Sequence, residues 1–358
     1  MSILIFLGVL FLLVLVHELG HFAVAKWTGM RVDEFGIGFP PKLFGVKRGE
    51  TEYTLNALPI GGFVKIYGED AVGVEKEQTE GAFTSKSMWA QSAVLVAGVT
   101  MNVLFAWLLV TVAFSVGVQS SVTESEASES AELVISNILE HSPAHEVAIP
   151  AGAIIESVQA GDDVLASLTP SSFTEFVNDH AGEVHTITYR KGDAIHVVTV
   201  TPAIGVIESA PERAALGVGL AQVDTVKRNI FIAMRDSGIY VLNGLRDITV
   251  GIFTLIVGKA DFSQVAGPVG IVGLVGEASA YGLTTLLMFT AFISLNLAII
   301  NILPFPALDG GRLVLVGIEA IKGTPIKPQY VAVVNTIGFA LLMVLMVVVT
   351  WNDIARLL

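Results

Sequence analysis

Apolar residues in this chain gather into long uninterrupted runs. No charged residue occurs from Ser87 to Thr123, from Ala278 to Leu308, or from Pro328 to Asn352. A helix that crosses a bilayer needs ~20 apolar residues, so each run holds one span, predicted near 92–117, 283–305 and 330–350. A fourth span is predicted near 3–25, where the apolar run Ser2 to Val16 is interrupted by His17 and Glu18 and resumes through Phe22 and Ala25. This stretch does not read as a cleaved leader, because no basic residue precedes it and no small-x-small site follows it.

Between the second and third spans the pattern changes. Ser120 to Ser130 is a Ser/Glu linker. Short β-rich runs follow, at Leu133–Ser136, Val184–Tyr189 and Ile195–Val200, the last two joined by the tight-turn sequence Arg190-Lys-Gly-Asp193. About 90 residues suffice for one small domain with its own core. From Val226 to Asp261, basic residues (Lys227, Arg228, Arg235, Arg246, Lys259) are mixed with apolar ones, and the longest charge-free stretch, Ile248 to Gly258, is 11 residues. That is too short to cross, so an amphipathic helix on the membrane surface is expected. In the first loop, Phe35-Gly-Ile-Gly-Phe-Pro-Pro41 and Thr51–Ala57 have strand character and are expected to form a hairpin dipping into the membrane.

The predicted fold class is therefore a polytopic α-helical membrane protein with four transmembrane helices, a membrane-associated β-hairpin region and one inserted α+β domain. The expected divisions are 1–117 for the first two spans and their loop, 118–225 for linker and inserted domain, 226–282 for the surface segment, and 283–358 for the last two spans.

Composition agrees: of 358 residues 53% are hydrophobic and 15% charged, against ~25% charged in an ordinary soluble domain. The net charge is −13, which excludes a basic nucleic-acid binder. Without cysteine there is no thiolate site, so a metal must use His and carboxylates. Basic residues set the orientation. Lys26 to Lys86 holds 8 Lys and Arg, whereas Val118 to Thr225 holds 3 against 16 acids, so the first loop is expected in the cytoplasm and the inserted domain outside. That domain alone carries −13 (3 − 16), and the rest of the chain balances at 17 acids against 17 basics.

The candidate chemistry begins at His17-Glu18-Leu19-Gly20-His21, deep in the first span. Residues four apart share a helix face, so both imidazoles can bind one metal while Glu18 takes a proton from the attacking water. Ionisable groups near a bilayer centre cost at least ~2.5–3.5 kcal/mol each, which argues for a function for all three. A catalytic zinc takes three protein ligands and keeps one position open. Asp309, in Asn301-Ile-Leu-Pro-Phe-Pro-Ala-Leu-Asp-Gly-Gly311, is the only acid between Glu277 and Glu319 and the candidate third ligand. The first and third spans run in the same direction, and both sets of ligands lie toward their cytoplasmic ends. Pro304 and Pro306 break the helix there, which membrane depth tolerates only inside protein or beside a watery cavity. The remaining histidines (His141, His145, His180, His185, His196) fall in the inserted domain and read as surface or turn residues.

The chain resembles the site-2 proteases, intramembrane zinc metalloproteases, and among them the bacterial regulator-of-sigma-E type. The resemblance rests on His17–His21, Leu58-Pro-Ile-Gly-Gly-Phe-Val-Lys-Ile66, Phe83-Thr-Ser-Lys-Ser87, Gly267-Pro-Val-Gly-Ile271, and Asn296 through Gly311. It implies one zinc ion per chain bound by His17, His21 and Asp309, with Glu18 as general base. It implies substrate contacts at Asn296, Asn301, Pro304 and Pro306, a re-entrant β-loop, and a PDZ-like inserted domain. The implied location is the inner (cytoplasmic) membrane, with the PDZ-like domain periplasmic. The implied activity is hydrolysis within or near the transmembrane segment of single-span membrane proteins, such as anti-sigma factors or remnant signal peptides, after an upstream site-1-type protease. Two departures stand out. Gly98-Val99-Thr-Met-Asn102 carries Val where the family has Pro, which bears on helix shape more than chemistry, and the space for tandem PDZ domains fits only one. A non-catalytic adaptor with a structural metal would not need Glu18, and a metal transporter would need more than one intramembrane cluster.

Overall fold

The structure is a computed structural model that describes residues 1–69, 80–192, 194–207, 209–259, 265–324 and 326–357, the side chains of 60, 328 and 357 excepted. It opens with α1 (Ser2–Trp27), the long strands β1 (Val32–Arg48) and β2 (Thr51–Ile66), and α2 (Met88–Val116). Then come β3 (Val118–Val122), β4 (Glu132–Ile138), α3 (Pro143–Glu146), β5 (Ile154–Ala160), β6 (Asp163–Val164) and α4 (Pro170–Asp179). They are followed by β7 (His185–Lys191), β8 (Ala194–Val200), β9 (Ala203–Ile204), β10 (Ala214–Ala215) and β11 (Val218–Val226). The chain continues with α5 (Ile230–Ile256), α6 (Pro268–Ala280), α7 (Leu283–Ile302), α8 (Asp309–Lys322) and α9 (Pro328–Leu357). Two compact units result, one made of Met1–Ser115 with Asn229–Leu358, the other of Val116–Arg228.

In the helical unit, α1, α2, α7 and α9 are apolar all round, as expected of helices whose outer surface faces lipid. Among the described residues a fifth helix, α5, is also long and apolar enough to cross a membrane. The sequence pattern led instead to a surface helix. The difference arises because the charges of α5 fall in adjacent pairs, Arg235–Asp236 and Arg246–Asp247, which leave a mostly apolar window between and after them. Contacts with α2 fix its direction. Trp107 Nε1 donates to the Met234 carbonyl at 2.9 Å, the Thr111 and Ser237 hydroxyls lie 2.7 Å apart, and the Phe114 and Tyr240 rings are centred 6.1 Å apart. Both helices advance together through these contacts, so α5 runs beside α2 in the same sense.

The start of α6 is set by Pro268 at its first position and by Asp353 of α9. The buried Asp353 carboxylate accepts from the backbone N–H of Gly267 at 3.0 Å and of Gly270 at 2.8 Å. It satisfies donors that every helix leaves unpaired and ties α6 to the end of α9.

β1 and β2 each bend back on themselves, so that their pairing yields four runs, antiparallel in the two outer pairs and parallel between 32–37 and 51–56. Gly36 pairs with Phe63 on one side and Thr54 on the other, and Lys47 pairs with Glu52. The order across the sheet is therefore 62–66, 32–37, 51–56, 42–48, with the first and last runs as edges. The base of this sheet packs into a buried cluster of Ala25, Val32, Ile66, Phe83, Val94, Leu95 and Val316, which draws on α1, α2 and α8.

The second unit is a seven-stranded sheet of order β3-β11-β4-β5-β7-β8, with β6 on β5. Its core joins Leu133, Ile135, Ile155, Val158 and Ile187 from the strands with Phe173 and Val177 of α4. Thr169 caps α4 by accepting from the Ser172 N–H, and Pro170 takes the first helical position. Of the expected β7–β8 turn, Gly192 lies at φ +60° and Asp193 falls outside the described residues.

His185 departs from its expected surface placement. It occupies an inward position of β7 and is fully buried, with Nδ1 donating to the Glu183 carbonyl at 3.0 Å. The Phe176 ring and His180 face it. Burial holds its pKa below the ordinary histidine value, so folding favours the neutral ring. The stability this contributes is present above the unfolded pKa of ~6.5 and is lost as pH falls through the folded value. His180 opposes the trend: the Phe176 carbonyl and then Asp163 raise its pKa, so its contribution is present at low pH. We predict that amide-exchange protection at Ile187 and Tyr189, corrected for intrinsic rates, falls between pH 7 and pH 5 in the wild type and falls markedly less in His185→Leu. Equal losses in the two proteins would assign the acid sensitivity elsewhere.

Candidate metal centre

The four-residue spacing of His17 and His21 on α1 turns both rings to one face, and both are buried. Their Nε2 atoms lie 3.1 Å from one another. Asp309 Oδ2 lies 3.1 Å from Nε2 of His17 and 3.4 Å from Nε2 of His21. One ligand atom from each of the three residues falls within 4.8 Å of the others. Asp309 is the first residue of α8, and the chain from Leu303 to Leu308 folds α8 back over the end of α7. Gly310 permits this, since a Cβ there would collide with the carbonyl oxygens of Ile302 and Leu303.

The surroundings decide which ring atoms face the centre. His21 Nδ1 sits 2.8 Å from the Val94 carbonyl, which can only accept, so Nδ1 carries the hydrogen and Nε2 keeps its lone pair. His17 Nδ1 lies 3.3 Å from the Asn102 side-chain amide, whose oxygen is buried and unpartnered. Turning that amide over lets the oxygen accept from Nδ1–H and leaves His17 Nε2 free as well. Asp309 Oδ2 is itself buried with no well-formed hydrogen bond. Two imidazole lone pairs and a carboxylate oxygen facing one another within an apolar bundle are costly unless a cation lies among them. Nitrogen and oxygen donors in this number suit zinc and leave a coordination position open.

Glu18 lies next to His17 on the helix, and its Oε2 accepts from the Val64 N–H at 3.0 Å. Val64 belongs to the 62–66 run, so the group that holds Glu18 is an outward-facing amide of that sheet edge. Of the residues expected to meet a substrate, Asn296 donates its amide back to the Phe292 carbonyl of its own helix at 2.9 Å. Asn301 is half-buried on the last turn of α7, Pro304 is exposed and Pro306 is half-buried in the α7–α8 connection. The structure thus gathers His17, His21 and Asp309 with Glu18 alongside, and the four substrate candidates lie on the end of α7 and the connection leading to Asp309.

The Gly98–Asn102 motif of α2, expected to bear on helix shape, lies against the two histidines. A Cβ on Gly98 would meet Nε2 of His21 and, at 2.7 Å, Cε1 of His17, so this glycine makes room for the two rings. Asn102, one turn further on, orients His17, and its backbone carbonyl accepts from Ser294 of α7 at 2.8 Å. The signal was present as a lone amide four residues after a glycine in a charge-free helix. What it lacked was any indication of which helix that face would meet.

Known proteins bear out the class. Residues 5–345 match the model of peptidase family M50, and the chain belongs to that family, the site-2 proteases. It is accordingly a membrane-integral zinc metalloprotease. A Clostridium perfringens protein, a candidate zinc metalloprotease, is 36% identical over 343 residues, covering 96% of this chain and 95% of its own. The zinc metalloprotease RasP of Geobacillus kaustophilus is 31% identical over 418 residues, covering 99% and 98%. The regulator of sigma-W protease RasP of Bacillus subtilis is 28% identical over 428 residues, covering 96% of each.

Partners that orient a metal-binding imidazole are worth about 10–100-fold in metal affinity. Asn102→Ala is predicted to shorten zinc retention against a chelator by roughly tenfold, with Asn102→Gln no better because the longer side chain cannot reach the same atom. Elemental analysis after timed dialysis reads this directly, and wild-type retention in both variants would refute the role given to Asn102.

Proposed function

We propose that His17, His21 and Asp309 hold the single zinc ion of this protease and that Glu18 is its general base. The observation that carries the reading is the approach of Asp309 Oδ2 to both Nε2 atoms, 3.1 and 3.4 Å, across two helices far apart in sequence. Zinc bound there supplies Lewis acidity, polarising a peptide carbonyl and making water nucleophilic near neutral pH. Glu18 takes the proton from the attacking water and passes it to the leaving amine. Its bond to the Val64 amide keeps the carboxylate turned toward the sheet edge while it does so.

The substrates we assign are single-span membrane proteins, for example anti-sigma factors or remnant signal peptides, already shortened by an upstream protease of the site-1 type. A transmembrane helix hides its peptide bonds, so the segment to be cut must be unwound. Pairing with the 62–66 edge would hold it extended beside Glu18, with Asn296, Asn301, Pro304 and Pro306 meeting it from the opposite side. The exposed apolar side chains of Phe39, Leu43, Phe44, Leu55 and Leu58 support a sheet that enters the membrane.

For topology we propose four spans, α1, α2, α7 and α9. A helix returning across the membrane beside α2 would run against it, whereas α5 runs with it, which supports placing the 226–282 segment at the membrane surface. The first loop, rich in Lys and Arg, then faces the cytoplasm. The acidic segment 118–225, read as a linker and a PDZ-like domain, lies outside, periplasmic where the cell has an outer membrane. The location is the inner (cytoplasmic) membrane.

The test is cleavage of a single-span substrate by full-length protein in membranes. Glu18→Gln is predicted to retain zinc and lose cleavage by at least ~100-fold, the usual scale of general acid–base catalysis. Equal cleavage in both proteins would refute the mechanism, and zinc binding without cleavage of any substrate by the wild type would favour an adaptor.

A further inference from the structure

The proposed zinc ligands come from two helices, and catalytic geometry has to be held to within ~0.5 Å. Neither α1 nor α8 supplies that precision alone. Arg312 stands three residues after Asp309, on the first turn of α8. Its Nη1 donates to Glu69 Oε1 at 2.7 Å, its Nη2 donates to the Glu69 backbone carbonyl, and its guanidinium lies over the Phe83 ring at 5.0 Å. Glu69 follows the end of β2 by three residues, and β2 is the strand whose Val64 amide holds Glu18. Phe83 sits in the buried cluster that also contains Ala25 of α1 and Val316 of α8. The ion pair is largely shielded, with 28% of the Arg312 and 21% of the Glu69 side chain exposed.

We propose that Arg312 is a positioning residue whose two-pronged grip on Glu69 fixes α8 against the end of β2. One contact thereby sets Asp309 relative to the two histidines and the 62–66 edge relative to Glu18. This rests on the reading of His17, His21 and Asp309 as zinc ligands. The guanidinium is required because it meets a side-chain and a main-chain oxygen at once while stacking on an aromatic face. A lysine ammonium can reproduce the charge but not the fork or the stacking. Arg312 also borders a cavity of about 430 Å³ shared with Asp309, Asn335, Thr336 and Phe339. A direct contact between Arg312 and substrate would make Arg312 sensitive to mutation and leave Glu69 indifferent, whereas a positioning role makes the two alike.

The experiment uses the full-length protein in detergent with Arg312→Gln, Arg312→Lys, Glu69→Gln and Asp309→Ala. Three quantities are read: zinc retained against a chelator, the visible spectrum of the cobalt-substituted protein, and kcat and KM on a single-span substrate. Arg312→Gln and Glu69→Gln are expected to shorten zinc retention about tenfold, the scale of partners that orient a ligand. Both should broaden the cobalt bands and lower kcat with little change in KM, and Arg312→Lys should recover part of each. Should Arg312→Gln fail to fold, Glu69→Gln carries the test, because it leaves the backbone carbonyl in place as an acceptor. Wild-type zinc retention and cobalt spectra in both Gln variants would overturn the proposal, as would a KM effect confined to Arg312. Asp309→Ala separates the two levels. If it keeps its zinc the ligand assignment itself fails, and if it loses zinc while the Gln variants do not, only the role of Arg312 fails.

Discussion

Everything in the helical unit is arranged around the cost of placing two imidazoles and a carboxylate against one another in an apolar interior. Lone pairs on His17 Nε2, His21 Nε2 and Asp309 Oδ2 point into one small volume. Neutral rings whose Nδ1 hydrogens are engaged with Val94 and Asn102 have none left to donate to Asp309. A bound metal cation relieves that cost by taking all three lone pairs at once. The surrounding helices can then be understood by what each does to keep the cluster from collapsing or drifting apart.

On that view α2 is the wall of the site. Gly98 opens space for the rings, Val94 and Asn102 set their orientation, and Ser294 of α7 holds the Asn102 backbone in turn. The sheet is the floor, contributing the Val64 amide to Glu18 and, beyond its end, Glu69 to Arg312. Gly310 lets the chain fold tightly enough after α7 for α8 to present Asp309. The 62–66 run is one of the two edge runs of the sheet, and its Val64 amide is the group that bonds Glu18.

Much of this was legible in the sequence because membrane helices and metal motifs are governed by local rules. Charge-free length located α1, α2, α7 and α9 to within a few residues at most ends. The exceptions are the start of α2, four residues earlier at Met88, the last turn of α7, which stops at Ile302 ahead of Pro304, and the later end of α9. The His17–His21 spacing needed only helical periodicity. Of the strands of the inserted domain, β4, β7 and β8 followed from β-branched runs and one turn sequence. What was not legible depended on tertiary neighbours. The buried place of His185 depends on which face of β7 meets the core. The roles of Asn102 and Gly98 depend on α2 lying against α1, and the grip of Arg312 on Glu69 spans 243 positions of sequence. The apolar length of α5 was not legible from charge-free runs, because its acids and bases come in adjacent pairs.

The central claim is the identity of the atoms around zinc, and zinc-edge X-ray absorption on the full-length, zinc-loaded protein tests it most directly. The account predicts a shell of nitrogen and oxygen without sulfur that carries the outer-shell scattering of two imidazoles. It also predicts that this scattering falls by half in His21→Ala and that the light-atom shell changes in Asp309→Ala. A spectrum without imidazole scattering, or one that neither substitution alters, would contradict it.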